Sequence, residues 1–244
     1  MHDATKYPES AAIILKHSWE VHRQAFGPIL EPAFVGNPQV RLMLVGALNH
    51  ISRREMHRGM ELLRDIQSFC RRDADRAACS FFVGLCFELA GDRDKMAHWY
   101  EKAGEFGHRF HLPYLKLAKR AHKKDQWDIA SGYYKTAIAC LLEMPEKDRD
   151  DMILGSAHAN LTSCLTMRHR YAEAEEVWKT AAQYPLLPAS HATGAVLYAA
   201  MGNREKTNAY LDKLRAEYPE LVGQIQTMTG QILTGEHPAF QPEI

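Results

Sequence analysis

The sequence lacks an excess of charge of either sign, with 30 Lys and Arg residues against 30 Asp and Glu residues among its 244. Phosphate contacts need clustered, uncompensated cations, so this balance argues against direct nucleic-acid binding. Long apolar runs are also missing. Residues 11–15 are too few for the core of a signal peptide, and no later run approaches the roughly 18 apolar residues of a membrane span. We therefore expect a cytoplasmic protein with no membrane partner.

Cysteine is scarce and unpatterned. The five residues Cys70, Cys79, Cys86, Cys140 and Cys164 form neither a CxxC motif nor a Cys/His spacing typical of zinc sites. Cys79 and Cys86 share one face of a predicted helix but lie about 10 Å apart along it, which is too far for a disulfide. We expect reduced, mostly buried thiols of the kind found in a reducing compartment.

Motifs of catalysis are absent as well: there is no GxSxG, no P-loop and no HExxH. The 13 histidines raise the question of a metal site, but only His108 and His111 have a spacing that two ligands on a helix need. That pair falls at a predicted turn beside Gly107. The sequence thus predicts no enzyme activity, no metal and no cofactor.

A repeat dominates the rest of the chain. Its clearest copy has Gly84 and Phe87, a turn at Gly91, and then Tyr100 and Ala103, a pattern that predicts two helices joined by a turn. Four further copies share these spacings. The small residues that mark the first helix of each copy lie 37, 34, 44 and 33 residues apart: Ala47, Gly84, Ala118, Thr162 and Ala195.

A helix-turn-helix period of about 34 residues with this alternation of small and aromatic residues resembles the tetratricopeptide repeat (TPR) family. The resemblance covers residues 40–218 and is strongest in the three central copies. The outer copies depart from the family pattern, with Gly59 and Thr207 in place of alanine and His50 in place of an aromatic residue. The resemblance implies an all-α, right-handed solenoid of five helix pairs, in which small residues allow close approach and aromatic residues fill the space between helices.

The flanking segments complete the expected organisation. Residues 1–38 precede the array and include an amphipathic helix over 10–26 with Ser10 as N-cap. The array occupies 39–218, with a charged connection at 144–151 that lengthens one step. Residues 219–244 contain an amphipathic capping helix over 220–233 and a frayed tail. About twelve helices are expected in all.

The TPR resemblance also implies a function, because first helices in that family line a concave groove that holds partner peptides. It implies a non-enzymatic adaptor or scaffold that binds a protein or peptide. The positions that would point into the groove in the last pair include Ala192 and Val196. The candidate groove residues are Leu44, Leu48, Phe81, Leu85, Glu88, Leu115, Lys119, His122, Lys123, Ser163 and Thr166.

These candidates are mostly apolar, with a basic centre at Lys119, His122 and Lys123. A partner with apolar anchors and an acidic residue would match them. Family members that clamp a C-terminal carboxylate use Lys or Arg and Asn at such positions. Among the groove positions nearest the small residues that mark each first helix, Lys119 is the single cation. A carboxylate clamp is therefore not expected here.

Other interpretations stay open. The basic run at 119–124 can be a solvated face that opposes the helix dipole. The groove can be filled by the chain's own helix at 10–26 or at 220–233, and the end of the stack can form a homodimer. An enzyme or small-ligand-binding protein on a helical-repeat scaffold is a further alternative. A regulatory role on nucleic acid would need a separate protein, because 38 leading residues are too few for a helix-turn-helix domain.

Overall fold

The computed structural model describes residues 18–23, 26–27, 29–106, 110–187 and 190–240. All regular structure in these ranges is helical and none of it is strand, so the all-α prediction is confirmed. The helices are α1 (Pro38–Ser52), α2 (Met56–Gln67), α3 (Asp73–Ala90), α4 (Arg93–Phe106), α5 (His111–His122), α6 (Trp127–Leu142), α7 (Asp151–Met167), α8 (Tyr171–Ala181), α9 (Ser190–Ala200), α10 (Arg204–Glu217) and α11 (Pro219–Thr234).

The chain divides into two compact units, Met1–Pro113 and Tyr114–Ile244. The first unit contains α1 to α4 and the start of α5, and the second contains the remainder of α5 and α6 to α11. Helical backbone is also present within 18–30, in the region where the sequence predicts an N-terminal helix. Ser10, its predicted N-cap, and residues 241–244 of the predicted frayed tail lie outside the described residues.

Five turns of the same geometry join the helices into consecutive pairs, α1/α2 to α9/α10. In each turn one residue has left-handed backbone, and the N–H of the next residue donates a hydrogen bond of 2.8 to 3.0 Å to the carbonyl oxygen five residues earlier. This is the geometry of a Schellman cap. The left-handed residues are Arg54, Gly91, Asp125, His169 and Gly202. Their steps of 37, 34, 44 and 33 residues are those of the sequence repeat.

Small residues face large aromatic rings within these units. A Cβ atom on Gly84 would lie 2.7 Å from the ring of Tyr100 in the next helix, and one on Gly194 would lie 2.6 Å from the ring of Trp178. Both rings are fully buried. The close approach predicted for the small positions, and the filling predicted for the aromatic ones, agree with this packing.

In the second unit the first helices of successive pairs contact one another. Helix α7 packs on α9, and α9 packs on α11, while α7 also packs on α8 and α9 on α10. One apolar cluster runs through this unit and contains Tyr134, Leu161, Trp178 and Leu197. The core is therefore a row of interfaces between neighbouring helices, as expected for a repeat.

Local signals in the sequence account for the helix boundaries. Pro38 and Pro219 occupy the first turns of α1 and α11, where a missing N–H costs little. The charged connection forms a 3-10 helix, Glu146–Asp148. Asp150 then caps the N-terminus of α7, because its carboxylate accepts hydrogen bonds of 3.0 Å from the backbone N–H groups of Met152 and Ile153. Among the helices that the structure describes, none combines the length and the apolar composition needed to cross a bilayer.

Candidate functional site

The predicted groove residues of the first unit are mostly interior. Leu44, Leu48 and Phe81 are 0, 2 and 1 % exposed, and Leu85 is half-buried. Glu88 is half-buried too, and its Oε2 accepts a hydrogen bond of 2.6 Å from the hydroxyl of the buried tyrosine of α4. These side chains serve the packing of α1, α3 and α4, so they do not form an apolar floor that is open to a partner.

The chain itself covers this surface. The described residues 18–23, 26–27 and 29–36, called here the N-terminal segment, contact both first helices of the unit. The ring of Phe26 packs edge-on against Phe81 at a centroid distance of 6.1 Å, and His22 Nε2 lies 2.9 Å from Asn49 Oδ1. In the first unit, therefore, the contacts fit the alternative in which a terminal segment of the chain occupies the first-helix surface.

A buried carboxylate anchors that segment. Asp75 Oδ1 accepts hydrogen bonds of 2.7 Å from the backbone N–H of Phe34 and from Arg72 Nη2. Burial acts to raise the pKa of Asp75, but hydrogen bonds from Arg72 and Phe34 outweigh it and the pKa is lowered. Arg72 also donates to the carbonyl oxygen of Pro32 at 3.0 Å. This anchor is not among the residues predicted from the sequence, although the Arg72–Asp75 spacing of a capping box is a local signal for it.

In the second unit a pocket opens where the sequence places the groove. It has a volume of about 190 Å³ and lies between α7, α9 and α11. The lining residues are Ser163, Thr166, Met167, Ala192, Thr193, Val196 and Met228. Four of these residues occupy groove positions derived from the repeat: Ser163 and Thr166 on α7, and Ala192 and Val196 on α9. The structure therefore brings together predicted residues of two successive first helices.

Two methionines complete this pocket and were not predicted. Met167 ends α7, and Met228 comes from α11, the helix expected to cap the array. Methionine side chains adapt to ligands of different shape and are frequent at peptide-binding surfaces. The apolar periodicity of α11 includes Met228, but sequence spacing does not show which neighbouring helix that face meets. Thr166 is buried, with its hydroxyl bonded to the Thr162 carbonyl oxygen at 2.8 Å, so it adds little surface.

The predicted basic centre divides into exposed and interior members. Lys119 is exposed on α5 and Lys123 is exposed in the turn that follows the helix, while Leu115 is half-buried one turn before Lys119. His122 packs edge-on against Trp127 at 5.1 Å, and burial lowers its pKa. The imidazole is therefore neutral near pH 7, and the positive charge of this region comes from the lysines.

His122 also meets a thiol, since its Nδ1 lies 3.6 Å from Cys164 Sγ. This contact shows that α5 and α7 are neighbours in the second unit. A nucleophilic cysteine needs a lowered pKa, whereas burial raises the pKa of Cys164 to about 12. The pair has the electrostatics of a structural contact and not those of an activated nucleophile.

A second pocket, of about 370 Å³, lies in this unit between α6, α8 and the middle of α7. Ile138, Leu161 and Val177 contribute to its apolar wall. His158 also lines this pocket and is stacked on Tyr184 at 5.9 Å, and neither of its ring nitrogens has a hydrogen-bond partner among the described residues. Burial lowers the pKa of His158, so the ring is neutral near pH 7.

Within the described ranges, no three His, Cys, Asp or Glu side chains converge as metal ligands would. His108, of the pair considered in the sequence, lies outside those ranges, and His111 is buried. No protein-family model matches this chain, and no curated protein matches it.

Proposed function

We propose that the chain is a non-enzymatic protein- or peptide-binding module, an adaptor or scaffold, whose helix pairs form a TPR-like right-handed solenoid. The recurrence of one turn geometry at the steps of the sequence repeat supports the solenoid. So do the contacts of α7 with α9 and of α9 with α11. All five cysteines are free, which supports a reducing compartment such as the cytoplasm.

The observation that carries the binding function is the pocket between α7, α9 and α11. It combines small or short polar side chains, such as Ser163 and Ala192, with the apolar Val196 and Met228. A leucine-sized side chain fits a hollow of about 190 Å³. Lys119 continues the row on α5, one first helix before Ser163. The partner we infer is an extended or helical peptide with an apolar anchor for the pocket and an acidic residue for the lysines.

The test is selection from a displayed library of random peptides on the full chain, followed by fluorescence anisotropy with the enriched peptides. We expect an apolar residue within a few positions of Asp or Glu. Ala192→Trp should fill the pocket and weaken binding by about tenfold or more, because the anchor loses its site. Ala216→Trp is the matched control, since Ala216 is exposed on α10, away from the pocket lining.

A second pair of variants tests the charge. Lys119→Glu together with Lys123→Glu should weaken binding by about tenfold at low salt and less at high salt, because exposed charges are screened. Lys147→Glu, in the exposed 3-10 helix, should leave affinity unchanged. Enriched peptides that bind Ala192→Trp as tightly as the unchanged chain would contradict the proposed site.

A further inference from the structure

Two thiols meet in the first unit, where the connection after α2 leads into α3. Cys70 Sγ lies 3.7 Å from the carbonyl oxygen of Ile66 and 3.6 Å from that of Asp75, and Cys79 Sγ lies 3.4 Å from the carbonyl oxygen of Leu63. Leu63 and Ile66 are three residues apart and share one face of α2, so both thiols lie along one seam between the helices. Asp75, whose carbonyl oxygen Cys70 Sγ approaches, lies one helical turn before Cys79 on α3, so the two cysteines are neighbours across this seam.

The two thiols differ in access and in acidity. Cys70 is half-buried, whereas Cys79 is fully buried behind it. Interaction with Cys79 lowers the pKa of Cys70, against the opposing effect of burial, while interaction with Cys70 and burial raise the pKa of Cys79. Cys70 is thus the thiol that ionises first and that solvent reaches. A partly exposed thiol that ionises readily, with a buried second thiol next to it, has the arrangement of a redox-responsive pair.

We propose that Cys70 and Cys79 form an oxidation site, at which hydrogen peroxide or an organic hydroperoxide converts the pair into an intramolecular disulfide. The Cys70 thiolate attacks the terminal peroxide oxygen, so an S–O bond forms, the O–O bond breaks, and hydroxide, or alkoxide from an organic hydroperoxide, leaves and takes up a proton. The Cys79 sulfur then attacks the Cys70 sulfenic acid. An S–S bond forms, the S–O bond breaks, and the Cys79 proton leaves with the hydroxide as water. Two electrons pass from the sulfurs to the peroxide.

The disulfide would close a short ring, residues 70–79, around the anchor of the N-terminal segment. Asp75 lies inside that ring and holds the Phe34 amide. Oxidation would therefore fix the connection from α2 to α3 and the anchor together. Closing a ring of this size should raise the melting temperature of the chain by about 5 °C. This site lies in the first unit, apart from the proposed peptide pocket, and it does not depend on the proposed function.

Peptide mapping of the full chain tests the proposal. The reduced protein is treated with hydrogen peroxide, alkylated, digested with trypsin without reduction, and analysed by mass spectrometry. Cleavage after Arg64, Arg71, Arg76 and Arg93 puts Cys70 in one peptide, and Cys79 and Cys86 together in another. We expect these two peptides to be cross-linked, and dithiothreitol to separate them.

Serine variants identify the partner thiol. Cys86→Ser should keep the cross-link and the rise in melting temperature, because Cys79 remains. Cys79→Ser should abolish both and leave a Cys70 sulfenic acid that reacts with dimedone. The unchanged chain is mapped in parallel, so the result does not rest on the variants folding. A cross-link that persists in Cys79→Ser, a link between two chains, or Cys70 and Cys79 that both stay open to alkylation after peroxide would overturn the proposal.

Discussion

Trp178 Nε1 donates a hydrogen bond of 2.8 Å to the hydroxyl of Tyr210, and so joins the second helices of two successive pairs, α8 and α10. The rings also meet edge to face at 5.4 Å. Trp178 is buried, and water cannot replace the hydroxyl as the acceptor without a rearrangement.

The contact predicts a measurable coupling between these residues. Tyr210→Phe leaves the indole N–H without its partner and should cost about 1–2 kcal/mol of unfolding free energy. Trp178→Phe should cost about 2–3 kcal/mol, because it also removes buried ring area. The double variant should be more stable than the sum of the single losses predicts, by about 1 kcal/mol. Urea unfolding of the four proteins measures this coupling, and strictly additive losses would show that the bond does not stabilise the pair interface.

Gly194 provides a test of close packing. Gly194→Ala adds a methyl group 2.6 Å from the Trp178 ring and should cost about 1–3 kcal/mol, because the surrounding side chains must shift. Gly132→Ala is the matched control, since it is also in a helix but a Cβ there meets nothing within 4 Å. That control should gain about 0.5–1 kcal/mol from helix propensity. Denaturant midpoints should therefore move in opposite directions.

The left-handed turn residues provide a test of backbone strain. Arg54 has φ of 62°, a conformation that disfavours residues with a Cβ, so Arg54→Gly should stabilise the chain by about 0.5–1 kcal/mol. Gly91 occupies the same place in the next turn with φ of 79°, and Gly91→Ala should cost about 1 kcal/mol. Urea unfolding should show a higher unfolding free energy for Arg54→Gly and a lower one for Gly91→Ala than for the unchanged chain. A stabilised Gly91→Ala protein would contradict the left-handed turn.

Buried His158 predicts a dependence of stability on pH. Its folded-state pKa is lowered by burial, so on acidification the unfolded chain takes up the proton first, near the ordinary imidazole pKa of about 6.5. The stability of the folded state therefore falls as the pH drops below that value. His158→Leu removes the proton uptake and two unpaired nitrogens, and should gain about 1–2 kcal/mol at pH 7.

The measurement is urea unfolding at pH 7.5 and at pH 5.5. His158→Leu should lose less stability between these pH values than the unchanged chain, while His122 and His191, which also have lowered pKa values, contribute equally to both. His57→Leu is the control for loss of an imidazole, because the His57 side chain is 88 % exposed and its replacement should leave the unfolding free energy at pH 7.5 within about 0.5 kcal/mol of the unchanged chain. Equal losses in His158→Leu and the unchanged chain would show that His158 does not titrate as its burial predicts.

Asp75 predicts a change in the N-terminal segment. Asp75→Asn keeps the shape but removes the charge that Arg72 and the Phe34 amide share, and should cost about 1–3 kcal/mol. Because the pKa of Asp75 is lowered, its contribution is present above the ordinary pKa of about 3.9 and is lost as the pH falls through the lower folded-state value. Asp75→Asn should thus be less sensitive to acid.

Hydrogen exchange locates this effect. In Asp75→Asn the Phe34 amide should exchange faster at neutral pH, as measured on peptides that span residues 29–37. Asp73→Asn is the matched control, because Asp73 is exposed and pairs only across the surface with Arg76. Unchanged exchange at Phe34 in Asp75→Asn would mean that other contacts hold the segment.

The repeat could be predicted from the sequence because its signals are local. Gly91 and Gly202 mark two of the turns directly, and the spacing of small residues places the other three. Arg54 and His169 give no such signal, since their left-handed backbone results from the cap formed by the surrounding helices. The sequence therefore indicates where the helices turn more reliably than how each turn is stabilised.

The candidate site could be predicted only in part. Ser163, Thr166, Ala192 and Val196 follow from position within the repeat and share a pocket in the structure. Met228 could not be assigned to that pocket, because its place depends on how α11 docks. Burial of Leu44 and Phe81 was not foreseen either, since it depends on a segment distant in sequence. Periodicity specifies faces of helices, whereas contacts between remote segments depend on the assembled fold.

The shared turn geometry has a consequence for how such a chain can change in length. Residues 170–202 begin directly after one left-handed turn position and end on the next. A second copy inserted after Gly202 would join Gly202 to Arg170, and the hydrogen bond across that junction has the same form at both ends. This unit, which consists of the second helix α8 and the next first helix α9, thus behaves as an in-frame cassette, and its duplication or loss requires no new backbone conformation at the splice. Such a chain can lengthen or shorten by units of one second helix and the first helix that follows it.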